Sequence, residues 1–268
     1  MKLKNCRVLI TGASGGLGQH IASGLAQQGA RLGLVDLRQE ALQTQQTALK
    51  AAGCPEVHAV SADLTSADGR SRAINEIRNA LGGIDLLINN AGVVDFHDFS
   101  HQDPAMIERI YQINLIAPIQ MAREILPGML EQGSGKIVNI GSTFGSIGFA
   151  YFSAYSGSKF GVRGFSESLR RELDGSGVDL CYIAPRAVKT PANSDAVYHM
   201  AEATKMNMDE PEDVARFIIE SITKDRSNAY YGWPEKLFVR INALLPGLVD
   251  SALRKQNRIM ARFAPKNV

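Results

Sequence analysis

Disulfide frameworks are excluded at the outset, because the 268-residue chain has only three cysteines, Cys6, Cys54 and Cys181. They are odd in number, scattered and without metal-like spacing, so reduced thiols and a cytoplasmic setting are expected. Excess charge of one sign is also missing. A net charge of +2 is too small to suggest a nucleic-acid surface. No apolar run approaches the roughly 18 residues of a membrane span. The N-terminal run Val8-Leu9-Ile10 stops at Thr11-Gly12, too soon for the core of a signal peptide. Internal repeats, low-complexity tracts and inter-domain linkers are absent as well. With 45% hydrophobic and 21% charged residues, the composition is that of an ordinary globular chain long enough for a sizeable core.

Short apolar runs alternate with helical patterns at βαβ spacing, which predicts an α/β fold with a doubly wound parallel sheet. Strands are expected at 7–11, 31–36, 57–61, 86–88, 136–140, 179–184 and 229–232. Between the first strand and the first helix lies Thr11-Gly12-Ala13-Ser14-Gly15-Gly16-Leu17-Gly18. Glycines 12, 16 and 18 let the backbone turn tightly, and the helix start offers free N–H groups to a diphosphate. The second strand ends in Asp36, placed to accept hydrogen bonds from an adenosine ribose and to repel a 2′-phosphate. NAD(H) is therefore preferred over NADP(H), with Arg38 the reason for keeping NADP(H) open. Asp63-Leu64 after the third strand can touch an adenine or cap the next helix. Asn89-Asn90-Ala91-Gly92 suits a tight turn whose side chains tie strands together.

The predicted helix over 104–132 contains Pro118 and Pro127, so it is expected to be kinked or divided, with backbone groups near Asn114 freed for water. His97 and His101 have i, i+4 spacing, but no third ligand stands out and no metal is expected. The fifth strand delivers Ser142. Tyr155 and Lys159 follow one helical turn apart, which points the phenol and the ammonium into the same space. A free tyrosine has a pKa of about 10. A neighbouring cation favours the phenolate and makes the group a usable proton shuttle. From 189 to 208 the pattern is irregular, with Met200, Met206 and Met208, and reads as a mobile lid or a plain surface helix.

The ordered set T-G-x-x-x-G-x-G at 11–18, N-N-A-G at 89–92, Asn114, Ser142 and Y-x-x-x-K at 155–159 resembles the short-chain dehydrogenase/reductase family over about residues 5–232. The resemblance implies a single Rossmann-type domain with a catalytic tetrad of Asn114, Ser142, Tyr155 and Lys159. It implies cofactor contacts at Gly12, Ser14, Gly16, Leu17, Gly18, Asp36, Asp63, Leu64, Asn90, Ala91, Gly92, Tyr155, Lys159, Val188 and Thr190. It also implies a homodimer or homotetramer, and interconversion of an alcohol with a ketone or aldehyde. Val94, Phe96, Phe144, Phe149 and Phe152, with Ser142, are the candidate substrate contacts and suggest an apolar or long-chain substrate; core packing is the alternative for each phenylalanine. Where the family usually has Pro-Gly, this chain has Pro185-Arg186, and Arg186 either binds an anionic substrate group or points to solvent. A non-catalytic dinucleotide-binding regulator, and an epimerase or dehydratase without net cofactor turnover, are the competing readings.

The extension 233–268 exceeds what that family core needs. Its leucines, isoleucines and phenylalanines alternate with Arg240, Arg254, Lys255, Arg258 and Arg262, and Pro246 is expected to separate two amphipathic helices. Such helices pack on a partner subunit or on the lid, in preference to an anionic membrane surface.

Overall fold

The structure is a computed structural model that describes residues 1–266; residues 267 and 268, at the end of the predicted extension, lie outside the described residues. Seven strands form one parallel sheet in the order β3-β2-β1-β4-β5-β6-β7. They span β1 Arg7–Thr11, β2 Arg31–Asp36, β3 Glu56–Ser61, β4 Leu86–Asn89, β5 Gly135–Ile140, β6 Val178–Ala184 and β7 Asn228–Tyr230. The chain winds outward from β1 to β3, then crosses to β4 on the other side of β1. A crevice opens at that reversal, beyond the carboxyl ends of β1 and β4.

Residue alternation along the strands explains the two layers. In β1, Val8 and Ile10 face a core shared with α1 (Gly16–Gln27), α2 (Gln39–Ala51) and α8 (Pro211–Thr223). Leu9 faces the opposite core, with α3 (Ala67–Leu81) and α5 (Ala117–Gln132). Because both faces are covered, the strands are apolar throughout rather than alternating. α8 shows the matching helical period, burying Val214, Ile218 and Ile222.

The predicted 104–132 helix is divided just before Pro118, whereas Pro127 lies inside α5 without dividing it. α4 (Pro104–Tyr111) runs into a π-helical turn, Gln112–Ile116, which contains Asn114, and then into α5. Pro118 falls in the first turn of α5, where a missing N–H does least harm. The π turn widens the ladder by one residue, with the Ala117 N–H donating to the Gln112 carbonyl.

α6 (Ser153–Glu172) lies over β5 and is tied to it by a buried polar chain. Asn89 Nδ2 donates to Asn139 Oδ1 at 2.9 Å and to the Pro118 carbonyl at 3.2 Å. Asn139 Nδ2 donates to Ser166 Oγ at 2.8 Å, and that hydroxyl donates to the Val162 carbonyl. The strand-tying role expected of the asparagine pair is thus performed by Asn89 on β4, while Asn90 serves the glycine loop. The irregular 189–208 stretch contains a helix, α7 (Asp195–Thr204), with Val197 and Met200 buried. After β7 come α9 (Glu235–Leu244) and α10 (Pro246–Met260), separated at Pro246 as predicted.

Asn139→Ala is expected to leave the Asn89 amide and the Ser166 hydroxyl without this partner, costing about 1–3 kcal/mol. Urea unfolding measures it. An unchanged midpoint would show that the buried chain does not hold α6 to the sheet.

Candidate active site

The glycine loop is shaped by contacts that tolerate no Cβ. Gly12 has φ +62°, and a Cβ there would lie 2.7 Å from the Ala91 Cα. A Cβ on Gly18 would lie 2.1 Å from the Gly12 carbonyl oxygen, and one on Gly16 would lie 2.8 Å from the Thr190 Cβ. Asn90 Nδ2 donates to the carbonyls of Thr11 and Gly12 at 3.1 and 3.0 Å. Thr11 Oγ1 accepts from the N–H groups of Asn90 and Ala91, both at 3.1 Å. The loops after β1 and β4 are therefore locked together. The N-terminus of α1 opens above them with no side-chain cap, leaving its N–H groups for an anion. Leu17 packs partly into the core beneath.

At the far end of the crevice, Asp36 Oδ2 accepts from the Ser14 N–H at 3.0 Å, and Asp36 Oδ1 accepts from the Arg38 N–H at 3.3 Å. The Arg38 guanidinium donates to the Ser14 carbonyl at 3.0 Å. Asp63 closes a local turn, its Oδ1 accepting from the Thr65 N–H and hydroxyl, both at 2.8 Å, which holds its carboxyl below the usual range, while Ser66 caps α3 by accepting from the Gly69 N–H at 2.9 Å. The Leu64 side chain is core, and its carbonyl accepts from Arg70 at 2.9 Å. Thr190 closes over Gly16, while Val188 is partly buried at the sheet edge.

Beyond the end of β5 the four tetrad candidates converge. The Ser142 hydroxyl, which accepts from the Phe144 N–H at 3.1 Å, lies close enough to Tyr155 to pull its phenol pKa down. Lys159 is buried one turn below, with its Nζ 5.8 Å from the centre of the Tyr155 ring and donating to the Ile140 carbonyl at 3.0 Å. Asn114 clamps the chain after β4: its Oδ1 accepts from the Val93 N–H and its Nδ2 donates to the Val93 carbonyl, both at 2.8 Å. It also donates to Ser158 Oγ at 3.2 Å, joining the π turn to α6. A Cβ on Gly92 would lie 3.3 Å from Asn114 Oδ1 and 3.7 Å from Lys159 Nζ, so these residues border one space.

The electrostatics differ from the expectation of a phenol made acidic by its lysine. Burial pushes Tyr155 up to about 12, outweighing the downward pull of the Ser142 hydrogen bond. Burial pushes Lys159 down to about 8. Desolvation penalises the charged form of each group, and the ammonium points at the β5 carbonyl rather than at the phenol oxygen.

All five apolar candidates gather beside Tyr155. Phe144 meets Tyr155 edge-on at 6.0 Å and stacks on Phe149 at 4.4 Å. Phe96 and Phe152 stack on each other at 4.9 Å and are buried, so they back the wall, whereas Val94, Phe144 and Phe149 are half-buried. The cluster is completed as the sequence reading allowed: Met200 on α7 and Met206 just after it, the methionines of the expected lid, meet Met260 and Phe263 from the end of the extension, which packs on that lid. Sequence reasoning missed Tyr182 on β6, whose hydroxyl donates to the Ser142 carbonyl at 3.1 Å.

Arg186 takes neither of its expected roles. Its guanidinium is paired bidentately with Asp209, both contacts at 2.7 Å, and bonded to Glu235 at 3.0 Å, which fastens the post-β6 loop to the start of α9. Its φ is not among the positive ones, so glycine is not required there. His97 lies 3.5 Å from Asp95 and His101 3.5 Å from Asp98. Among the described residues no three His, Cys, Asp or Glu side chains converge as a metal site.

A lysine whose folded pKa is depressed is a liability while protonated. Below pH 8 the full cost of the buried charge is present; between pH 8 and 10.5 the folded protein sheds the proton first, and stability rises. Lys159→Met is therefore expected to raise the thermal midpoint at pH 7, by up to about 3 kcal/mol in stability. The gain should shrink as pH climbs towards 10.5. A gain that does not change with pH would contradict the burial argument.

Comparison with known proteins places the chain in a family. The sequence profile described as short chain dehydrogenase matches residues 7–201. The ketoacyl reductase HetN of Nostoc sp. is 36% identical over 254 residues, covering 92% of this chain and 88% of that protein. Epidermal retinol dehydrogenase 2 of Mus musculus is 31% identical over 244 residues, covering 89% of this chain and 78% of its own. A short-chain dehydrogenase/reductase from Burkholderia phymatum, solved in complex with NAD, superposes with a TM-score of 0.84 at 24% identity, covering 93% of this chain and 96% of that one. With its parallel sheet, glycine loop and Tyr155–Lys159 helix, this chain belongs to the short-chain dehydrogenase/reductase family of oxidoreductases.

Proposed function

We propose that the protein interconverts an alcohol with a ketone or aldehyde on an apolar, medium-to-long-chain substrate, using NAD(H). The observation that carries this reading is the Tyr155 phenol, set beside Ser142 and edge-on against Phe144, above a buried Lys159. The glycine cradle fits a dinucleotide, since a Cβ at Gly12, Gly16 or Gly18 would collide with Ala91, Thr190 or the Gly12 carbonyl, and the tight loop that these glycines permit leaves the uncapped N-terminus of α1 open to a diphosphate. When bound, the nicotinamide supplies or accepts the hydride.

The chain's own residues supply position and proton. Ser142 holds the substrate oxygen beside the phenol, so that proton and hydride reach adjacent atoms. With its pKa pushed up to about 12, Tyr155 is protonated at neutral pH, the form that donates to a carbonyl oxygen. Lys159, beneath it, refills that proton and can reach a ribose hydroxyl. Phe144, Phe149 and Val94 keep water from the reacting carbon and favour an apolar chain. At the other end, Asp36 accepts from a ribose diol, and its charge disfavours a 2′-phosphate. The Arg38 guanidinium donates to the Ser14 carbonyl at 3.0 Å and lies 3.7 Å from Asp36.

Tyr155→Phe should lower kcat by about 10²–10⁴-fold, followed by NADH absorbance over a panel of ketones and aldehydes of increasing chain length. Turnover equal to that of the unsubstituted enzyme would remove the proton donor. Asp36→Ala should raise KM for NADH by about 10–100-fold and improve use of NADPH relative to NADH, because a charged hydrogen bond is lost and a repulsion relieved. An unchanged NADH/NADPH ratio would overturn the cofactor assignment.

A further inference from the structure

Helices α9 and α10 bury one side and leave another bare. Val239 and Val249 pack on Ile147, with Ile241 and Leu253 beside them. Between the two helices, the corner Leu244-Leu245-Pro246-Gly247-Leu248 projects its leucines into solvent, at 80%, 56% and 60% exposure. Trp233, just before α9, and Leu237 and Phe238 on it are exposed as well. Isolated exposed leucines are ordinary, but a contiguous set at a projecting corner marks a contact surface.

Charge identifies what it contacts. Residues 233–268 carry seven basic and two acidic side chains, whereas residues 1–232 carry 22 basic and 25 acidic ones. The chain's slight positive charge therefore conceals a basic tail on an acidic body. Arg240 falls on the Leu237–Leu244 face of α9, and Lys255 falls two turns from Leu248 on α10. Arg240, Arg254, Lys255 and Arg258 are exposed and pair with no carboxylate among the described residues. Long basic side chains can bend their charges to a headgroup layer while leucines beside them enter the acyl boundary. A two-fold contact with a second copy through this surface would instead set these cations against one another.

We propose that the α9–α10 corner docks this protein peripherally on an anionic lipid surface. No helix among the described residues is long and apolar enough to cross a membrane, so the attachment is interfacial and reversible. α10 ends in Met260, with Phe263 just beyond, inside the apolar cluster beside Tyr155. A docked corner therefore places that wall of the cleft close to lipid. The docking itself does not depend on the reading of the reaction.

The experiment is co-sedimentation of the full chain with vesicles of phosphatidylcholine alone, and of phosphatidylcholine mixed with phosphatidylglycerol, at low and high salt. The expected result is binding to the mixed vesicles, weak binding to the neutral ones, and release by salt. Leu244→Ser/Leu245→Ser/Leu248→Ser, and separately Arg254→Glu/Lys255→Glu/Arg258→Glu, should each reduce binding by about tenfold or more while keeping the thermal midpoint. Because the second variant changes only exposed charges, it tests the proposal even if the first is unstable. Failure to bind mixed vesicles, equal binding to both vesicle types, or undiminished binding by the charge variant would overturn it. So would sedimentation velocity showing that the leucine variant loses a dimer formed by the unsubstituted chain.

Discussion

An ammonium kept out of water at the end of a parallel strand is the constraint around which this molecule is arranged. Lys159 lies within the body of the protein, and its Nζ hydrogen bond goes to the Ile140 carbonyl, the last of β5. A lone buried charge is strongly disfavoured, so the groups around it must be placed with little freedom. α6 supplies the lysine, β5 the carbonyl, and the Asn89–Asn139–Ser166 chain keeps helix and strand in register. Asn114 extends the same network to the loop after β4, through both backbone groups of Val93.

The same desolvation sets the state of Tyr155. Spacing alone suggests an ion-pair-like partnership in which the lysine acidifies the phenol. Burial shifts each group towards its neutral form instead, the phenol up and the ammonium down. The two values move apart, to about 12 and about 8, leaving a protonated phenol beside a lysine near its own titration point.

Substrate wall and surface meet in one element. α10 begins at the exposed leucine corner and ends in the cluster that includes Phe144 and Tyr155. Near the start of α9, Arg186 joins the post-β6 loop to Asp209 and Glu235, so the tail is anchored at both of its ends.

Periodicity and spacing settled the strands, the parallel sheet, the glycine loop and the Tyr155–Lys159 pair, because each is a local pattern: alternation, a turn that only glycine fits, one helical step. The split of the 104–132 helix was legible from Pro118 for the same reason. The ionisation of Tyr155, the ion pairs of Arg186 and the Tyr182 contact to Ser142 were not. Each depends on which distant groups come to lie against a side chain and how much water they displace. Those are properties of packing between residues far apart in the chain, and only the tertiary structure decided them.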